Sequence, residues 1–115
     1  MNKKISIIIA TYNAENTIRR CIDSIACQKS DEIELLVIDG DSKDKTVEIL
    51  KSYGDIIDIL TSEPDKGLYD AWSKALRLAT GEWFMFLGAD DSLFPDAMSF
   101  YLDFLQEEKN TDTID

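Results

Sequence analysis

Four short apolar runs recur along the chain at nearly regular spacing: Ile5 to Ala10, Ile33 to Ile38, Ile56 to Leu60 and Trp83 to Leu87. They are rich in β-branched and aromatic residues and do not alternate with polar ones, which predicts strands buried on both faces. The intervening segments carry apolar residues at helical period. Ile18, Cys21, Ile22 and Ile25 form one stripe, and Val47 and Leu50 a shorter one after Ser42. The clearest stripe is Leu68, Ala71, Trp72, Ala75, Leu76 and Ala79, which Gly81 is expected to end as a C-cap. A fourth, Met98, Tyr101, Leu102 and Leu105, starts behind Pro95, a residue suited to a first helical turn. The order β-α-β-α-β-α-β-α predicts a doubly wound α/β domain, a mostly parallel sheet with right-handed crossovers and helices on both faces. The polar tail from Gln106 reads either as frayed chain or as the approach to a further strand, for which Thr113-Ile114-Asp115 resembles a truncated beginning.

Length and composition narrow this picture. The 115 residues, 44% of them hydrophobic, fit one domain over 1–115 without a linker. The net charge of -11, from 23 acids against 12 bases, argues against nucleic acid or an anionic membrane surface as partner, and an anionic ligand would need a metal to bridge it. No apolar stretch approaches the ~20 residues of a spanning helix, and Met1-Asn2-Lys3-Lys4 leads into a strand rather than a signal peptide, so a soluble, cytoplasmic fragment is expected. Any association with the inner face of the membrane would come from residues outside this chain. Cys21 and Cys27 on one helix would be separated by a rise of roughly 9 Å, too far for a disulfide, and are read as reduced core thiols. Histidine is absent, which removes Ser-His-Asp and Cys-His catalysis and His-containing zinc sites.

Ligands of open parallel sheets bind beyond the C-terminal ends of the strands. Each run ends there in a polar cluster: Ala10-Thr11-Tyr12-Asn13, Asp39-Gly40-Asp41-Ser42, Glu63-Pro64-Asp65-Lys66-Gly67 and Gly88-Ala89-Asp90-Asp91. One cleft lined by all four is the economical reading. Thr11 and Tyr12 can offer a hydroxyl and an aromatic face to a planar base, or Tyr12 can be a buried loop residue. Asp39 can accept hydrogen bonds from a base N–H or a ribose hydroxyl. Asp41, Ser42 and Asp44 read as turn and capping residues. Lys66 and Gly67 precede the strongest helix, whose first N–H groups could face phosphate oxygens, although Lys66 reads equally as a solvated lysine. Asp90 and Asp91 are adjacent carboxylates that repel unless a divalent cation lies between them and a ligand; the other reading is a solvated turn in which Asp91 or Ser92 caps the next helix. Neither G-x-G-x-x-G nor G-x-x-x-x-G-K-[ST] occurs. A nucleotide held through carboxylates and an oxygen-liganded Mg²⁺ or Mn²⁺ remains.

The segments Ser6 to Asn13, Glu34 to Ser42 with Asp44 and Thr46, and Thr80-Gly81-Glu82 running to Asp90-Asp91 resemble the family 2 glycosyltransferases. The segment Ser62 to Ala71 resembles a bacterial-type branch of that family. The resemblance implies a GT-A, Rossmann-like fold, truncated here, and a nucleotide-diphosphate-sugar donor, with uracil as the expected base. It also implies inversion at the anomeric carbon and a saccharide or lipid-linked acceptor. Residue by residue, Thr11, Tyr12 and Asp39 would hold base and ribose, and Asp90 and Asp91 match the end of the family's D-x-D element, with Asp91 the metal ligand. The first acid of the common form is here Gly88, and Ser73 and Ala75 stand where many relatives of this branch carry Asn and Gly. The family's general base lies downstream of the D-x-D element, outside this chain, so these residues would hold the donor half of a site. Two other classes compete: a non-catalytic interaction or regulatory domain of the same fold, and a metal-dependent phosphoryl-transfer enzyme. The latter is disfavoured because no nucleophilic aspartate follows the first strand.

Overall fold

The computed structural model describes residues 3–64 and 66–112, so Asp65 and the short strand expected at Thr113–Asp115 lie outside the described residues. The predicted alternation of strands and helices is present: β1 (Ile5–Thr11), α1 (Ile18–Ala26), β2 (Ile33–Asp39), α2 (Thr46–Lys51), a 3-10 turn (Gly54–Ile56), β3 (Ile59–Ser62), α3 (Leu68–Leu78), β4 (Trp83–Gly88) and α4 (Ala97–Asp112). The four strands form one parallel sheet in the order β3-β2-β1-β4. Because side chains alternate across a strand, the register sorts the core into two layers. Ile5, Ile7 and Ile9 with Ile33, Leu35 and Val37 pack beneath α1, α2 and α4, whereas Ile8, Leu36 and Ile38 pack beneath α3 alone. The architecture is the doubly wound α/β arrangement expected.

Several local expectations change. The third strand begins at Ile59 rather than Ile56, because Gly54, at φ 58, opens a turn that carries Ile56, and Ile57 enters the core from the loop. On α2 the buried face is Thr46, Ile49 and Leu50, with Val47 half-buried. On α3, Ala71 and Ala75 are buried but Leu76 is exposed. Pro95 lies in the turn ahead of α4, since Asp96 takes a left-handed φ of 64 and delays the helix to Ala97. The tail beyond Gln106 continues α4 to Asp112, in keeping with the helix-forming Gln106-Glu107-Glu108-Lys109.

Gly81 is not a C-cap. Helix α3 ends at Leu78 with an extended Ala79, and Gly81 instead lies against β1, where a Cβ would sit 2.6 Å from Ser6 Oγ and 2.7 Å from Ser6 N. Its N–H donates to Ser6 Oγ (2.8 Å), which donates to the buried Glu34 carboxylate (2.8 Å); Glu34 also accepts from Thr80 N and Oγ1. This network joins the entry of β4 to β1 and β2.

The apolar run of β4 predicted a strand covered on both faces, yet β4 is at the sheet edge. Trp83, Phe84 and Phe86 are 49%, 46% and 39% exposed. Trp72 of α3 meets Phe86 at 4.8 Å between ring centroids, the one aromatic cover on that side among the described residues. The physical reason is position: α1 and α3 cover the inner strands, and one of the two flanks of β4 is supplied by β1.

Cys21 is buried in α1 and Cys27, expected to be buried as well, is exposed at its C-terminus. Burial first, then the negative charges of Asp91 and Asp90, push the Cys21 thiol up to about 12. An aromatic disulfide reagent added to the native protein near pH 8 is expected to release one equivalent of thiolate rapidly, with the second following denaturation. Two fast equivalents would place Cys21 within reach of solvent.

Candidate donor site at the carboxyl edge of the sheet

Parallel register places the four strand-end loops on one edge of the sheet. Thr11 pairs with Asp39, Asp39 with Ser62, and Ala10 with Gly88. Asp39 and Asp91 therefore follow strands that end at the same edge, with β1 between them. A cavity of about 560 Å³ opens there, bordered by Thr11, Tyr12, Asp41, Lys43, Pro64 and Gly67 and floored by the small residues Ala10, Gly40 and Ala71. Tyr12 is 60% exposed, so its ring is presented rather than buried. Gly67 adopts φ 113, a conformation open to glycine, and starts α3 at the cavity rim.

Asp39 faces the other way. It shares the strand face of Leu35 and Val37, opposite to α3, and is fully buried. Its Oδ1 accepts from Thr11 Oγ1 (2.6 Å) and Ser42 Oγ (2.6 Å), and its Oδ2 from Ser42 N (2.8 Å) and Ser62 Oγ (2.9 Å). Two carboxylate oxygens provide about four acceptor sites, so the chain itself occupies them. Burial pushes this carboxyl up, but the bonds from Ser42, Thr11 and Ser62 outweigh it and hold its pKa below the ordinary aspartate value. The Thr11 hydroxyl, expected to be offered to a ligand, gives its proton to Asp39.

The loop after β2 is clamped to the loop after β1. Asn13 N donates to Ser42 Oγ (2.8 Å), Lys43 N to Asn13 Oδ1 (2.7 Å) and Ala14 N to Thr46 Oγ1 (2.7 Å). Asp44 accepts from Thr46 N and from Glu15 N, so it forms a turn ahead of α2, in line with its reading as a turn residue, while the N-cap position itself is Lys45. Asp41, also read as a turn residue, does sit in the left-handed region at φ 66, but it lines the cavity as well. Lys43 Nζ lies 2.7 Å from Asp41 Oδ2, and that hydrogen bond, with the charge behind it, raises the lysine pKa. Sequence reasoning missed Lys43 altogether; its only signal was its place two residues after an acid in a strand-end loop.

Lys66 is exposed and does not border the cavity; its backbone N–H donates to Asp70 Oδ2 (3.0 Å). Asp90 and Asp91 are also exposed and do not line the cavity; their turn lies against α1, where Arg20 Nη2 donates to Asp90 O (3.3 Å). They belong to a tight turn in which Gly88 N donates to Asp91 Oδ2 (2.8 Å) and Asp91 N to Gly88 O (3.1 Å). A Cβ on Gly88 would meet Asp90 Oδ1 at 3.0 Å and Asp91 Oδ2 at 3.2 Å. Both carboxylates thus converge over Gly88, and the absent side chain makes their room. Among the described residues no three acidic or thiol side chains gather. The set fits a magnesium-like ion, which takes one or two carboxylates and completes its shell with phosphate and water.

Comparison with known proteins identifies the family and the fold. The pattern described as Glycosyl transferase family 2 matches residues 6–115. A PGL/p-HBAD biosynthesis glycosyltransferase of Mycobacterium tuberculosis is 38% identical over 113 residues, 95% of this chain and 44% of that protein. An uncharacterized glycosyltransferase of Rickettsia typhi is 36% identical, over 96% of this chain and 34% of its own length. The chain therefore spans less than half the length of these curated relatives. Among solved structures, S. aureus TarS 1-349 in complex with UDP-GlcNAc superposes with a TM-score of 0.84 at 28% identity, covering 90% of this chain and 31% of that one. The mannosyltransferase PcManGT from Pyrobaculum calidifontis, in complex with GDP-Man and Mn²⁺, gives 0.71 at 28% identity over 87% of this chain and 31% of that one. The four-stranded parallel sheet is thus that of GT-A transferases, and with the family pattern running from the first strand to the last residue, this chain belongs to glycosyl transferase family 2.

Proposed function

We propose that these residues form the donor-binding part of an inverting glycosyltransferase, which moves a sugar from a nucleoside diphosphate, most simply UDP, to a hydroxyl of a saccharide or lipid-linked acceptor. The observation that carries this reading is the cavity at the carboxyl edge of the sheet together with the carboxylates of Asp90 and Asp91, which converge over Gly88 where β4 ends at that same edge. Thr11, Tyr12 and Gly67 all line the cavity, and we assign the first two to the base and Gly67, at the start of α3, to the diphosphate; Lys66 precedes Gly67 in sequence, outside the lining, as a cation for the same group. Asp39 supports this end from beneath. Asp91 and Asp90 would hold Mn²⁺ or Mg²⁺, which when bound offsets the charge of the departing diphosphate. The chain's own work is then to bind and orient: Tyr12 presents a flat apolar face, the clamped loops fix the rim, and small residues in the floor let a planar group approach the backbone. A cytoplasmic site of action accords with the free, exposed thiol of Cys27. No helix among the described residues is long and apolar enough to cross a membrane.

Calorimetric titration with UDP, GDP and dTDP, each with and without Mn²⁺, tests the reading. One nucleotide is expected to bind at least tenfold more tightly with the metal, and Asp91→Asn to erase most of that difference. Equal affinity with metal and with chelator would overturn it, and the absence of any nucleotide-induced rise in melting temperature would favour a non-catalytic interaction domain.

A further inference from the structure

The turn that carries Asp90 and Asp91 follows an edge strand. Among the described residues β1 is the one strand beside β4, so the sheet steadies that turn from a single flank. Its further support comes from α1, which packs on the sheet face of Ile7 and Ile9. We propose that Ser24 and Gln28 are positioning residues of the metal site: by holding the main chain that follows β4, they keep the Asp90 and Asp91 carboxylates gathered over Gly88 and raise the affinity for the divalent cation. This rests on the donor-site reading and on its assignment of Mn²⁺ or Mg²⁺ to those two carboxylates.

The contacts run along one face of α1 and the turn that ends it. Arg20, Ser24 and Gln28 are spaced four apart and share that face, with Cys21 next to it. Arg20 Nη2 donates to Asp90 O, and Cys21 Sγ to Gly88 O (3.7 Å). Leu93 N donates to Ser24 Oγ (3.0 Å), whose own proton goes to Cys21 O (2.7 Å). Gln28 Nε2 donates to Phe94 O (2.9 Å) and to Ser24 O (3.1 Å), and its Oε1 accepts from Met98 N (2.8 Å), an N–H of the first turn of α4. These side chains thus bind the main chain from Gly88 to Met98 and contribute no ligand themselves.

The stretch they hold has little structure of its own. Between β4 and α4 the described main chain bonds to itself in two tight turns, Asp91 N to Gly88 O and Ala97 N to Phe94 O. Ser24 and Gln28 grip the part in between, at Leu93 and Phe94. Adjacent carboxylates repel, so a turn released from α1 lets them swing apart, and cation binding then carries the cost of regathering them. A turn already held carries none of it, which is how residues behind a metal site act on affinity. Ser24, Gln28 and Leu93 are partly exposed, so water can replace their lost partners and the fold survives their removal.

The test titrates Mn²⁺ into the 115-residue chain saturated with whichever of UDP, GDP or dTDP binds the wild type. The same nucleotide titrated in chelator is the control, because the turn does not line the cavity. Ser24→Ala and Gln28→Met are each expected to raise the Mn²⁺ dissociation constant about tenfold, the effect of losing a residue that orients a metal ligand. Nucleotide affinity in chelator should stay within about twofold of the wild type. Ser24→Thr, which keeps the hydroxyl, should bind Mn²⁺ as the wild type does. General loosening of the fold would instead lower the melting temperature and weaken both titrations together. That result overturns the proposal, as does an unchanged Mn²⁺ constant in Ser24→Ala or a Ser24→Thr variant as weak as Ser24→Ala. If the wild type binds no nucleotide, or binds it alike with Mn²⁺ and with chelator, the donor-site reading fails and this one with it. Metal dependence in the wild type that persists undiminished in Ser24→Ala sinks this proposal alone.

Discussion

Replacing Asp39 by alanine is expected to destabilise the domain by about 3 kcal/mol and to abolish nucleotide binding. The residue is fully buried, and its carboxylate is the meeting point of three strand ends, accepting from Thr11 on β1, Ser42 after β2 and Ser62 on β3. Truncation leaves the Ser42 N–H without its acceptor and three hydroxyls without theirs, in space that water reaches poorly. A domain of this size has about 5–15 kcal/mol of stability in all, so the loss shows in a urea titration as a large fall in midpoint. A change below about 1 kcal/mol would mean that the hydroxyls find other partners. The same residue sets a pH dependence. Its folded pKa lies below the ordinary value near 3.9, so the stabilisation is complete above that pH and is lost as pH falls from there through the depressed folded value. Asp39→Asn, which cannot titrate, should flatten stability against pH below about 4, and an unchanged slope would assign the acid sensitivity to other carboxylates.

A methyl group at Gly81 is expected to be nearly as damaging, at about 3 kcal/mol. The added carbon would lie 2.7 Å from Ser6 N and 3.0 Å from the Ile5 carbonyl carbon, both backbone atoms in the centre of the sheet that have no room to retreat. Relief requires the start of β4 to move off β1, which weakens the Gly81 N–H bond to Ser6, the Ser6 to Glu34 link and the bond from Trp83 N to Lys4 O (2.9 Å). Gly54→Ala is the control. Its Cβ would meet nothing within 4 Å, so its cost is limited to the left-handed φ of 58, roughly 1 kcal/mol. Equal midpoints for the two variants would show that the contact at Gly81 relaxes freely.

These two residues illustrate what pattern reading does and does not reach. Strand runs, helical stripes and their order were legible because burial on both faces leaves a continuous apolar signature, as in Ile7-Ile8-Ile9 and Leu35-Leu36-Val37-Ile38. The polar clusters at the strand ends were legible for the same reason: parallel strands all finish at one edge. Gly81 was misread as a cap because a glycine after a helix looks the same whether it ends the helix or admits a neighbouring strand. β4 was misread because an apolar run states what a strand is built to be covered by, not how many neighbours it has within these residues.

Asp39 and Asp41 mark the boundary most clearly. The chain written as Asp39-Gly40-Asp41-Ser42 fixes that carboxylates stand at the end of β2, and with Asp90-Asp91 that an acidic edge exists. Which of them faces the cavity depends on strand parity against neighbours 28 and 23 residues away, at Thr11 and Ser62. Local sequence sets propensity and composition, but the direction of a side chain at a strand end, and the partners that occupy its oxygens, are settled only when distant strands come into register.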